Sequence, residues 1–183
     1  MADYYLPGID TVPSLSAEER AAILDHLFEP CVPLHTLSIE LLGTKTFDSY
    51  DELISSVGVQ LTELAESPST SDTEWLVKIL GAHPRLGAKK VDSAQSQAEQ
   101  AQLNKGGEEE AEELRKLNEE YEATFPGLIY VVFVNGRSRP VIMENMRERI
   151  KRGDLQAEKL EAIKAMCQIA ADRSNKLKPA ISV

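Results

Sequence analysis

Three groups of residues in this chain have the types and spacing to do chemistry. Ser96, Glu99 and Gln100 stand at i, i+3 and i+4, with Leu103 at i+7. On a helix they share one face and bring a hydroxyl, a carboxylate and a carboxamide within a turn of each other. The surrounding stretch is mostly alanine and glutamine with no strong apolar stripe, so the same face also reads as a solvated one. His83 lies in Gly81-Ala82-His83-Pro84-Arg85-Leu86-Gly87. A residue before proline is pushed out of the helical region, which places His83 just beyond a helix end. The carbonyl end of a helix favours imidazolium, so the pKa is expected to rise toward neutrality or above, where the group serves as an acid near pH 7. A histidine in that place also caps the last carbonyls. Arg173 falls on the apolar stripe of the last helix, made by Leu160, Ile163, Met166/Cys167, Ala170 and Leu177. It either snorkels to solvent or holds an anion, and its fork suits a carboxylate.

Other chemistry is poorly represented. No GxGxxG, P-loop, HExxH or GxSxG occurs, and Gly106-Gly107 precedes acidic residues, which makes a poor phosphate cradle. Cys31 and Cys167 sit far apart in apolar surroundings without metal-ligand spacing, and are expected to be small buried hydrophobes in a reducing compartment. His26 and His35 are expected at the surface or partly packed. A net charge of −10 with no basic stripe argues against nucleic acid as a partner. The one cationic cluster, Arg147, Arg149, Lys151 and Arg152, reads as a solvated helix end, with an anion site as the alternative. No run approaches the roughly 20 apolar residues of a membrane span. The first residues lack a secretory pattern, and Ala180-Ile181-Ser182-Val183 contains no peroxisomal tripeptide. The expected location is cytoplasmic, and the peroxisome stays open only through a signal of another form.

The frame that must position these side chains is helical. Ser16 with Glu19 has the form of a capping box, and the helix it opens runs through Ile23, Leu24 and Leu27 to stop before Pro30. A short apolar segment at 37–42 follows. Helices are then expected from Phe47-Asp48-Ser49-Tyr50 through Ala65, from 73 to about 80, from Asp92 or Ser93 to about 103, over 108–125, over 141–150 and over 155–177. Residues 67–72 read as a polar turn, and 104–107 as a break. The acidic run 108–113 reads as a solvated helix face, with Leu114, Leu117 and Tyr121 on the inner side. Residues 128–134 are rich in Leu, Ile and Val, but one such run cannot make a sheet. The expectation is an all-α, single-domain multi-helix bundle with one short extended apolar segment. An irregular arm occupies 1–13, the domain 14–177 and a tail 178–183.

Taken in order, the motifs resemble a known family. His83-Pro84-Arg85-Leu86-Gly87 followed by Ser96-Gln97-Ala98-Glu99-Gln100 resembles the paired signatures of the 2-oxo-4-hydroxy-4-carboxy-5-ureidoimidazoline (OHCU) decarboxylases. Leu117-Asn118-Glu119-Glu120-Tyr121 with Phe125, then Glu148-Arg149-Ile150 and Ile169-Ala170-Ala171-Asp172-Arg173, resemble further motifs of that family. The chain looks like a divergent member: Leu128-Ile129-Tyr130 replaces an aromatic-rich segment, and the linker after Gln100 is longer and more acidic. The resemblance implies a homodimer without metal or organic cofactor that acts on a small anionic ureidoimidazoline and yields (S)-allantoin. It implies that His83 and Glu99 are catalytic, and that Pro84, Ser96, Gln100, Ile129, Tyr130 and Arg173 line the substrate site. Two other readings remain open from sequence. One is a non-catalytic helical interaction module of the same fold, and the other is a related cofactor-free lyase or isomerase acting on a ureido acid.

Overall fold

Serine and aspartate side chains set where several helices begin. The Glu19 N–H donates to Ser16 Oγ at 3.2 Å while the Ser16 N–H donates to the Glu19 carboxylate at 2.8 Å, the reciprocal arrangement their spacing predicts. Ser49 receives the Glu52 N–H at 3.2 Å and Asp154 the Ala157 N–H at 2.9 Å. Each such cap stabilises its helix by about 1 kcal/mol. The computed structural model describes residues 4–88, 91–101, 103 and 106–179. Within them a 3₁₀ helix (Ile9–Ser14) leads into α1 (Ala17–Leu27), α2 (Val32–Thr44), α3 (Tyr50–Glu66), α4 (Thr70–Leu80), α5 (Ala94–Ala101), α6 (Glu108–Thr124), α7 (Arg139–Arg152) and α8 (Leu155–Lys176). No strand occurs among the described residues, and 128–134 is an apolar segment outside any helix or ladder. The chain is therefore an all-α bundle. Residues 1–3 of the expected arm, 104–105 of the expected break and 180–183 of the tail lie outside the described residues.

The centre of the bundle is the pairing of α3 with α8, with α1 on α2, α6 on α7 and α4 on α3 around it. α3 buries Leu53, Ile54, Val57 and Leu61, and α8 buries Ala162, Ile163, Met166 and Ala170. Gly58 permits this approach, because a Cβ there would sit 2.9 Å from Cys167 Sγ. Cys31 and Cys167 are unpaired and only partly buried. No described helix is long and apolar enough to cross a membrane.

Several boundaries differ from expectation for local reasons. The segment at 37–42 is the middle of α2, whose first turn carries Pro33, a position where proline suits a helix. α4 starts at Thr70 rather than 73, since its polar first turn is stabilised by Ser67 Oγ donating to Asp72 at 2.5 Å. α7 starts at Arg139 because Pro140 also falls in a first turn. α5 begins after Ser93, not Asp92: the Ser96 N–H donates to Ser93 Oγ at 3.0 Å.

Arg149 overturns the expectation of a solvated helix end. It is 3% exposed, pairs with the fully buried Glu158, donates to the Val131 carbonyl at 3.0 Å and lies 4.6 Å from the centre of the Tyr130 ring. Glu158, nine residues on at the start of α8, supplies the charge that makes this burial tolerable. Removing one partner of such a pair leaves an uncompensated buried charge. Glu158→Ala is therefore expected to cost about 3–5 kcal/mol in urea denaturation, whereas Arg149→Met with Glu158→Leu costs much less.

Candidate active site

The residues that sequence singled out converge on one end of the bundle. α4 ends at Leu80, and a turn closed by Ala82 N–H to Ile79 (3.2 Å) and His83 N–H to Leu80 (3.4 Å) delivers His83 into the interior. Pro84 prevents the helix from continuing. The loop after it is clamped from two sides. The Gln100 side-chain carbonyl accepts from the Gly87 N–H at 3.1 Å, and its amide donates to the Arg85 carbonyl at 3.3 Å. Asn118 on α6 donates to the Leu86 carbonyl at 3.1 Å, and Arg85 makes a two-pronged pair with Glu122. Gly87 has φ +74°, and a Cβ there would also meet Leu114 at 2.9 Å, so the turn requires glycine.

A hollow of about 180 Å³ opens beside this loop. His83, Pro84, Ser96, Glu99, Gln100 and Tyr130 all contribute to its wall. Ile129 does not. Its Cδ1 lies near Gly81 instead, and the wall is completed by residues 131–136. The Tyr130 hydroxyl points away and donates to Asn145 at 2.6 Å. Asp172 and Lys176 of α8, paired with each other at 2.5 Å, line the remaining side.

Arg173 is buried and backs Ser96 and Glu99 rather than forming wall itself. Its Nε and Nη2 donate to the two oxygens of Glu99 at 2.7 and 2.9 Å. Nη2 also reaches Ser96 Oγ at 3.0 Å and Glu29 Oε1 at 2.8 Å. Of the two readings of this arginine, the structure selects anion holding, and the anions are the protein's own carboxylates. Burial works against the charge, yet Glu99 and Glu29 together hold the guanidinium pKa above its ordinary value.

His83 is the exception in this network. It is 6% exposed, and neither ring nitrogen has a hydrogen-bond partner. An unpartnered buried polar group costs about 1–3 kcal/mol, so two on one imidazole call for a reason. The capping role is absent. The expected rise in pKa is also reversed: burial first, and the Arg173 charge second, push the imidazole down to about 4, with Glu29 opposing. The helix-end effect is outweighed because the ring is enclosed and faces a cation. His83 is accordingly neutral at pH 7.

Sequence reasoning missed Glu29, the wall at 131–136 and the Asp172–Lys176 pair. Asp172 adjoins the arginine already singled out, and Asn135-Gly136 marks a turn, but no spacing pointed to Glu29. His26 stacks on Tyr4 (3.7 Å between ring centres) and meets Gln95 at 2.9 Å, while His35 pairs with Asp25; neither lines the hollow. Among the described residues no group of His, Cys, Asp and Glu has a metal-binding arrangement. The hollow is lined by a carboxylate backed by a guanidinium and by a neutral imidazole whose two nitrogens are enclosed and unpartnered. Such a set suits proton handling on a small polar molecule. A sequence model of the family described as OHCU decarboxylase matches residues 13–175 of the 183-residue chain. No curated protein matched the chain.

Proposed function

The chain belongs to the OHCU decarboxylase family, carboxy-lyases that decarboxylate 2-oxo-4-hydroxy-4-carboxy-5-ureidoimidazoline in urate degradation, and from that premise we propose that the hollow beside His83 is the active site and that its product is (S)-allantoin. The observation that carries this reading is the imidazole of His83, buried against an open hollow with two unanswered nitrogens. A non-catalytic module would have no use for such a group.

The reaction needs one carbon–carbon bond broken and three protons moved. The carboxylate leaves as carbon dioxide, its electron pair forms a bond to the adjacent imine carbon, and the imine nitrogen takes a proton from solvent; the neighbouring hydroxyl then gives up its proton, and the ureido-bearing carbon receives one. The imine accepts the electrons, so the substrate carries its own electron sink. The protein's part is orientation and proton placement. His83 enters neutral. An anionic substrate offsets the Arg173 charge and raises the proton affinity of the ring, which takes the hydroxyl proton once the carboxylate has departed. Glu99, gripped through both oxygens, steers the departing group and the returning proton. Ser96 and Gln100 were expected to bond the substrate, but their hydrogen-bonding groups already hold Glu29, Arg173 and the loop. Their role in this reading is to fix the walls.

Two copies of the chain associate in this reading. The unbridged cysteines fit a cytoplasmic setting.

The enzymatic reading is tested by carbon dioxide release from freshly generated intermediate, corrected for spontaneous decay. Its pH dependence is informative. Because the folded pKa of His83 is about 4, below the ordinary 6.5, kcat/KM should stay level from pH 8 through 6, with any acid limb owed to His83 centred near 4. Stability follows the same sign. The unfolded chain binds more protons between the two values, so the His83 contribution is present above about 6.5 and is lost as pH falls through about 4. An activity midpoint near 6.5 that vanishes in His83→Gln would contradict a neutral resting imidazole.

A further inference from the structure

α5 brings Ser96 and Glu99 to the hollow, yet it takes no part in the tight helix pairings of the bundle. Its attachment is polar, and much of it converges on one atom. Glu29 Oε1 accepts from Ser96 Oγ at 2.5 Å, from Ser93 Oγ at 3.1 Å and from Arg173 Nη2 at 2.8 Å. Ser93 in turn receives the Ser96 N–H, so the first turn of α5 hangs on the same carboxylate. Glu29 therefore joins the end of α1, the start of α5 and the end of α8. It is 4% exposed, and its φ is +128°, a conformation that side-chain-bearing residues rarely adopt. A buried charge on a strained backbone is costly in two ways. α1 ends at Leu27 and its packing does not call for a carboxylate beyond that point. Strain of this kind collects where function holds it in place.

We infer that Glu29 is a positioning residue for the decarboxylation: without lining the hollow, it fixes Arg173 and Ser96, and through Arg173 the carboxylate of Glu99. The inference rests on the reading of the hollow as the active site. Arg173 Nη2 is shared between Glu29 and Glu99. With Glu29 neutral, the guanidinium has one anionic partner left and follows Glu99 wherever it moves. Ser96 loses its acceptor, and the start of α5 loses its anchor.

The test is a set of kcat/KM values, by carbon dioxide release, for wild type, Glu29→Gln, Arg173→Lys and the double variant, each with a thermal melt. Glu29→Gln is expected to fold and to lose about 10²-fold in kcat/KM. The double variant is expected to fall within about threefold of Arg173→Lys alone, because both residues act as one unit. Glu29→Gly relieves the backbone. It should melt above Glu29→Gln, since it loses the same anchor without the backbone strain, while losing activity as Glu29→Gln does. Losses that multiply in the double variant overturn the inference. So does a Glu29→Gly protein that melts lower while its folded fraction keeps wild-type kcat/KM, and so does failure of every Glu29 variant to fold, since each outcome marks a structural residue only. Wild-type protein that leaves the spontaneous rate unchanged is a separate failure, which removes the active-site reading and the inference with it.

Discussion

His83→Ala is expected to lose about 10³-fold or more in turnover while its stability in water stays within about 1 kcal/mol of wild type. Most buried truncations cost more than that. Here two effects oppose. The alanine forfeits packing on one side of the ring, but that side adjoins an existing hollow, so little is left uncovered. It also removes two buried nitrogens that have no partners. The imidazole is therefore a poor contributor to folding and is held for what enters the hollow. A second signature accompanies the first. The acid sensitivity of stability between about pH 6.5 and 4 should diminish, because the group whose pKa is lowered to about 4 is gone. Paired chemical denaturation curves at pH 7 and pH 5 check this, and an unchanged pH difference would place His83 elsewhere than in this enclosed, cation-facing environment.

Glu99→Gln is expected to lower kcat by about 10²–10³-fold, with KM changing less. The carboxylate now presents two oxygens to Arg173 in a fork. An amide keeps one acceptor and turns an NH₂ toward the guanidinium, so the grip breaks on one side. The side chain also loses the charge that steers the departing carboxylate and the capacity to pass a proton. Glu99 is 23% exposed at its side chain, so its loss should destabilise the fold less than loss of the fully enclosed Glu158. A Glu99→Gln enzyme with unaltered kcat and raised KM would assign this carboxylate to binding alone.

Much of the site was legible because it is local. The i, i+3, i+4 spacing of Ser96, Glu99 and Gln100 survives as one wall, since a helix fixes that geometry whatever it packs against. Pro84 alone was enough to eject His83 from α4. Most helices and their inner faces followed from caps and periodicity, but of α2 only the middle was read, as a short apolar segment. What was not legible depends on distant partners. Glu29 lies 144 residues from Arg173, and no local pattern joins them. The sign of the His83 shift turned on enclosure and on that same arginine, neither visible in the loop. Arg149 looked solvated because its partner Glu158 lies on the next helix. Gln100 was placed on the correct face, but the backbone it clamps belongs to a loop thirteen residues earlier.

The most direct measurement is the circular dichroism of allantoin formed when the protein is added to intermediate freshly generated from urate. A site that delivers its proton to one face, with His83 and Glu99 both lining the hollow, predicts rapid formation of the (S) enantiomer, and near-racemic product from His83→Ala. Racemic allantoin appearing at the uncatalysed rate with the intact protein would contradict it.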